Sequence, residues 1–152
     1  MNIKRRIFLK YSVLTGALFT LGGVFLKAKP ALAAWPEEAF NANSIDTALS
    51  ALNIGSVVES KDITINTPKT VENGAFVPLS IQANIENVSR ISIFVEQSEQ
   101  PLVGSYDIAN NIDPYISTRI KMSKTSNVIA LVQTDEKNYI ARKSVTILHS
   151  DC

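Results

Sequence analysis

The chain holds one cysteine, Cys152, and one histidine, His149, three residues apart at the end of the sequence with Asp151 between them. A thiolate is a strong nucleophile and a good metal ligand, so the chemistry to consider first is that of Cys152. Two or three ligands on a chain end make a poor closed metal site, which asks for four, and no zinc-ligand spacing occurs elsewhere in the sequence. His149 reads as a solvated residue where the last strand runs out. No cluster of histidine, cysteine and carboxylate and no glycine-rich phosphate loop is present, so neither an active site nor a cofactor is expected. What is left is a thiol at a terminus, the part of a domain most free to reach into another protein. Two readings stand side by side: a thiol that carries cargo, and an incidental terminal cysteine.

The compartment bears on that choice. Residues 1–33 contain six Lys or Arg and no acid, whereas the rest of the chain has nine bases against fourteen acids, a net charge of −5. A body of that charge repels phosphate backbones, which excludes a nucleic-acid partner. Residues 1–33 read as a twin-arginine-type signal peptide, in which Arg5, Arg6, Phe8, Leu9 and Lys10 match the export motif and Lys4 replaces its usual Ser or Thr. The uncharged stretch from Tyr11 to Leu26 has 16 residues, three of them glycine, short of the roughly 20 apolar residues a membrane-spanning helix needs. Ala31-Leu32-Ala33 followed by Ala34 is the small-x-small pattern of a cleavage site. The expectation is a mature chain starting at Ala34, delivered to the periplasm without stable membrane insertion. Disulfides form there from pairs of cysteines, and one cysteine cannot bridge internally. Idle thiols in that compartment tend to be oxidised, which lowers the weight of the incidental reading.

The elements that must position this tail follow from hydrophobic period. A total of 152 residues favours one domain. Residues 34–58 form an N-terminal helical segment of one or two short helices. Pro36 stands at a helix start with Glu37 and Glu38 in the first turn. Ser44 is an N-cap candidate for a stripe of Ile45, Ala48, Leu49 and Leu52, closed by Asn53 and Gly55. Trp35 is expected to anchor the start of the first helix by packing.

From Asp62 onward the period changes to alternation. Ile63 and Ile65 make a first strand, and Glu72-Asn73-Gly74 is a turn that sets register. Val77, Leu79, Ile81, Ala83 and Ile85 then line one face of a strand in which Pro78 calls for an edge position or a bulge. Further strands cover Ile91 to Val95, Leu102 to Ile108 and Ile116 to Met122, where Arg119 and Lys121 share the solvent side. These two with Lys124 read as a solvated face, the other reading being a patch that steers an acidic partner or an anion. Val128 to Val132, apolar on both faces, is a central strand and forms a hairpin with Tyr139 to Leu148. About seven strands with no alternating helices indicate an all-β, immunoglobulin-like sandwich over residues 59–148, followed by a tail of residues 149–152.

Asp62-Ile63-Thr64-Ile65 leading to Pro68, Val71-Glu72-Asn73-Gly74-Ala75-Phe76-Val77-Pro78-Leu79, Ser117-Thr118-Arg119-Ile120-Lys121-Met122 and Ser126-Asn127-Val128-Ile129-Ala130 together resemble the SoxY family of thiosulfate oxidation carrier proteins. The likeness extends from Trp35 to Ile147, and Glu72 to Pro78 is its most specific part. The resemblance implies an immunoglobulin-like sandwich paired with a second subunit, SoxZ, the two exported together. It implies that Cys152 holds thiosulfate-derived sulfur covalently and that the carrier does not itself catalyse. Its partners would be the haem protein SoxAX, which couples thiosulfate to the thiol, the manganese hydrolase SoxB, which removes sulfate, and further enzymes of the same system.

The tail departs from that family, whose usual ending is Gly-Gly-Cys-Gly-Gly. Here it reads Leu148-His149-Ser150-Asp151-Cys152. Glycines make a tail slender and free to turn, and His149, Ser150 and Asp151 lack both properties. Asp151 also sets negative charge beside the sulfur, which raises the thiol pKa and repels an anionic cargo. The alternative is therefore a related structural or binding subunit whose tail carries nothing.

Overall fold

A computed structural model describes residues 35–149. Pro36 precedes the short helix α1 (Glu37–Phe40), whose first turn carries Glu37 and Glu38 against the free N–H groups of its start. Helix α2 (Ile45–Ala51) begins where Ser44 Oγ accepts the Thr47 N–H at 3.2 Å. It ends at Asn53, which takes the left-handed φ of 57°. The Ile54 N–H donates to the Leu49 carbonyl and the Asn53 N–H to that of Ser50, a Schellman closure with asparagine in the position glycine usually fills.

Nine strands follow: β1 (Val57–Glu59), β2 (Ile63–Asn66), β3 (Thr70–Asn73), β4 (Val77–Ala83), β5 (Val88–Val95), β6 (Leu102–Asp107), β7 (Tyr115–Ile120), β8 (Ser126–Thr134) and β9 (Asn138–His149). The larger sheet runs β1-β9-β8-β5-β6 with β3 also on β9, and the smaller runs β2-β4-β7. The fold is the expected immunoglobulin-like sandwich, with nine strands in place of about seven. The additional two are β1 and β3, three and four residues long, and both pair with β9 in parallel. Segments so short show no alternation for a period to reveal. The turn expected at Glu72-Asn73-Gly74 is correspondingly one step later: Glu72 and Asn73 close β3, and Asn73 Oδ1 accepts the Ala75 N–H at 2.7 Å to start the turn.

β8 lies at the centre of the larger sheet, and its two faces serve two cores. Val128, Ala130 and Val132 join Leu79, Ile81, Ile91 and Ile93 between the sheets. Ile129 and Leu131 turn the other way and meet Ala39, Ala48 and Leu52 of the helical segment, together with Phe94 and Ile140. The helices thus form a third layer, and each large side chain buried this way contributes about 1.5–3 kcal/mol. Trp35 is a correction in part. It stacks on Phe40 with ring centroids 4.3 Å apart, yet stays 67% exposed, so it stiffens the start of α1 from outside the core.

Pro78 meets the edge condition by position rather than by strand. β4 is the middle strand of its sheet, but β2 pairs only from Ser80 onward, while Pro78 stands opposite Arg119 of β7. Its lost donor falls where β4 has one neighbour. The two mouths of the sandwich differ. On the β2–β9 side, Lys143 points from β9 between the sheets and donates its Nζ to the Ile65 carbonyl at 3.0 Å, capping the core. On the β6–β7 side a groove of about 820 Å³ stays open. Among the described residues no helix is long and apolar enough to cross a membrane.

Candidate functional site

Cys152 lies outside the described residues, as do Arg5, Arg6, Phe8, Leu9, Lys10, Ala31, Ala33 and Ala34. The structure instead defines the base from which the tail departs. β9 is the longest strand, 12 residues, and its partner β8 accompanies it only as far as Val145, opposite Ser126. The last part of β9 is held by other means.

Successive amides of a strand point to opposite edges, and here each edge finds a different partner. On one edge the Thr146 N–H donates to the Lys69 carbonyl at 2.8 Å, and β3 continues the parallel ladder with Thr70 opposite Thr146, Val71 opposite Ile147 and Asn73 opposite His149. On the other edge the Ile147 N–H donates to Thr125 Oγ1 at 3.0 Å. The loop between β7 and β8 therefore takes over where β8 itself stops.

A third contact comes from beneath. The Met122 N–H donates to the Gly74 carbonyl at 2.8 Å, drawing the β3–β4 turn against that loop. A Cβ on Gly74 would lie 1.9 Å from the Met122 carbonyl oxygen and 3.3 Å from Ile147 Cγ2. Glycine is required here by close approach, since no glycine among the described residues has positive φ. Ile147 is partly buried against the core between the sheets, whereas Leu148 is 57% exposed. Contacts on two edges and one face thus meet at Ile147, and the β9 backbone stays paired with β3 as far as His149. Two residues separate His149 from Cys152, so three Cα steps give a contour of about 10 Å.

The expectation that Asn73-Gly74 sets strand register is corrected: the turn joins β3 and β4, which belong to different sheets and do not pair, so it carries the chain from one sheet to the other; its contact with Met122 and Ile147 is long-range and has no local signature. Thr125 and Lys69 were missed for the same reason. The backbone of His149 belongs to β9 and pairs with Asn73, so the strand extends one residue into the expected tail. Arg119, Lys121 and Lys124 are exposed, as an alternating strand and its following loop require, and all three line the open groove. Among the described residues no group of three or more His, Cys, Asp or Glu is arranged to hold a metal ion.

Three comparisons bear on this arrangement. The family model described as "Sulfur oxidation protein SoxY" matches residues 49–152. The structure of the sulfur carrier protein SoxY from Chlorobium limicola f thiosulfatophilum is similar at 34% sequence identity and a TM-score of 0.62, covering 67% of this chain and 93% of that one. A lytic polysaccharide monooxygenase from Jonesia denitrificans is similar only at 15% identity and a TM-score of 0.39, covering 53% of this chain and 58% of that one. No curated protein sequence matches.

Proposed function

The chain belongs to the SoxY family of sulfur oxidation proteins, and from that membership we propose that it is a sulfur carrier that holds its cargo covalently on Cys152. The observation that carries the proposal is the family match itself, which runs from residue 49 through the one cysteine of the chain. The clamp on β9 supports it, since a body that holds its last strand as far as His149 offers a defined starting point for whatever follows.

In this reading the Cys152 thiol and thiosulfate lose two electrons and one proton to a partner redox enzyme, and the Cys152 Sγ bonds to the outer sulfur of thiosulfate. Water then attacks the sulfonate sulfur in a hydrolase, releasing sulfate and a proton and leaving a persulfide on the cysteine. The carrier supplies the thiol and the handle, and the partner enzymes supply the chemistry. SoxZ would be the companion subunit, SoxAX the redox enzyme and SoxB the hydrolase. Residues 1–33 would direct export to the periplasm by the twin-arginine route. With at most about 10 Å of chain between His149 and Cys152, an enzyme acting on Cys152 must bring its reacting atoms close to the end of β9.

The tail sequence favours one second reading. His149, Ser150 and Asp151 stand where slender residues would serve a narrow channel better, as expected of a SoxY-like structural or binding subunit that carries nothing. One experiment separates the two. Protein purified from cells consuming thiosulfate should show intact masses of the thiosulfonate and persulfide forms, and these should vanish in Cys152→Ala together with growth on thiosulfate. Unmodified wild-type protein, with growth that survives Cys152→Ala, would establish the second reading.

A further inference from the structure

The open mouth of the sandwich is the feature that carriage on Cys152 leaves unused. Its walls are β6 and β7, each paired on one side only, to β5 and to β4. Every second residue of such an edge strand turns its backbone N–H and C=O away from its partner, and exposed edges of this kind accept an added strand. The opposite mouth is capped by Lys143; this one is a groove of about 820 Å³ whose floor includes Val103 and Tyr106.

The charge of the groove is opposite to that of the body. Arg119, Lys121 and Lys124 line it with Glu99 as the one acid, so it gathers three of the nine bases beyond residue 33 and one of the fourteen acids. The ion pairs among the described residues, Arg90 with Asp107 and Arg142 with Glu59, involve none of these three cations. Arg119 and Lys121 are two residues apart along an extended chain, about 7 Å, which is also the spacing of alternate side chains on an added strand. Backbone edge and charge spacing therefore ask for the same ligand.

We propose that the β6–β7 groove is a docking site for an extended acidic segment of a partner protein, which adds to the free edge of β7 and sets alternate carboxylates against Arg119, Lys121 and Lys124. The site does not depend on carriage by Cys152. Its far end is the loop that holds the base of the tail, because Lys124 adjoins Thr125, whose hydroxyl receives the Ile147 N–H. A partner seated here lies beside the start of the tail.

The probe is a fluorescently labelled peptide of alternating threonine and glutamate, titrated with the mature chain at low ionic strength and read by anisotropy. Saturable binding is expected, weakened about tenfold by the triple variant Arg119→Gln/Lys121→Gln/Lys124→Gln, as three exposed ion pairs would give, and weakened by added salt. N-methylation of alternate peptide amides should abolish binding in one register and spare it in the other, a readout taken on the unaltered protein. Absence of saturable binding, equal affinity of the triple variant, or indifference to N-methylation in both registers would overturn the proposal. Displacement by sodium thiosulfate beyond that by sodium chloride of the same ionic strength would assign the cations to small sulfur anions and overturn it as well.

Discussion

Replacing Gly74 by alanine tests whether the base of the tail is clamped as the geometry says. The added Cβ would stand 1.9 Å from the Met122 carbonyl oxygen, where ordinary contact begins at 3.4 Å, so the turn and the β7–β8 loop must part by about 1.5 Å. The obstacle is backbone and cannot rotate aside as a side chain would. Separation removes the 2.8 Å bond from the Met122 N–H to the Gly74 carbonyl, worth about 1 kcal/mol. The overpacking adds about 1–3 kcal/mol, and Gly74→Ala should therefore destabilise the domain by about 2–4 kcal/mol. Urea unfolding of residues 34–152 measures this, with an unchanged slope showing that the native and unfolded states remain comparable. Hydrogen exchange of the Ile147 amide should accelerate, because its acceptor Thr125 belongs to the displaced loop. Gly55 is the control, with nothing within 4 Å of its would-be Cβ, so Gly55→Ala should stay within about 0.5 kcal/mol of wild type. If Gly74→Ala is as mild as Gly55→Ala and the Ile147 amide exchanges at its original rate, the three-sided clamp does not exist.

Three further outcomes are expected. Thr125→Val removes the acceptor of the Ile147 N–H at 3.0 Å, so exchange of that amide should rise about fivefold while global stability falls by about 1 kcal/mol or less. Leu131→Ala empties a fully buried position beneath the helical layer and should cost about 2–5 kcal/mol by urea unfolding. Asp151→Asn removes the negative charge next to Cys152; since that charge raises the thiol pKa, alkylation by iodoacetamide at neutral pH should quicken about twofold. The gain should be present below the thiol pKa and disappear above it, where both proteins are already thiolate.

Much of the sandwich was legible because its strands are amphipathic over enough residues for a period to show. Val77 to Ala83 and Tyr115 to Ile120 alternate, and Val128 to Val132 is apolar throughout because β8 has a core on each side. The Ser44 cap and the Asn53 ending were equally readable, since a helix end is a local event in which the side chain that satisfies it sits within a few residues. β1 and β3 were not. Their place in the fold comes from parallel pairing with β9 across more than sixty residues of chain, and three or four residues cannot display a period.

The sequence by itself determined the kind of chain this is: an all-strand body with a helical lead-in and a single thiol beyond the last strand. Those features are written in local period and in composition, which need no neighbour to be read. Tertiary structure alone decided that Gly74, Met122, Thr125 and Lys69 converge on Ile147, and that one mouth of the sandwich is capped by Lys143 while the other is open and cationic. Each of these is a meeting of segments distant in sequence, and such meetings are chosen by how the two sheets pack, a property no stretch of residues holds alone.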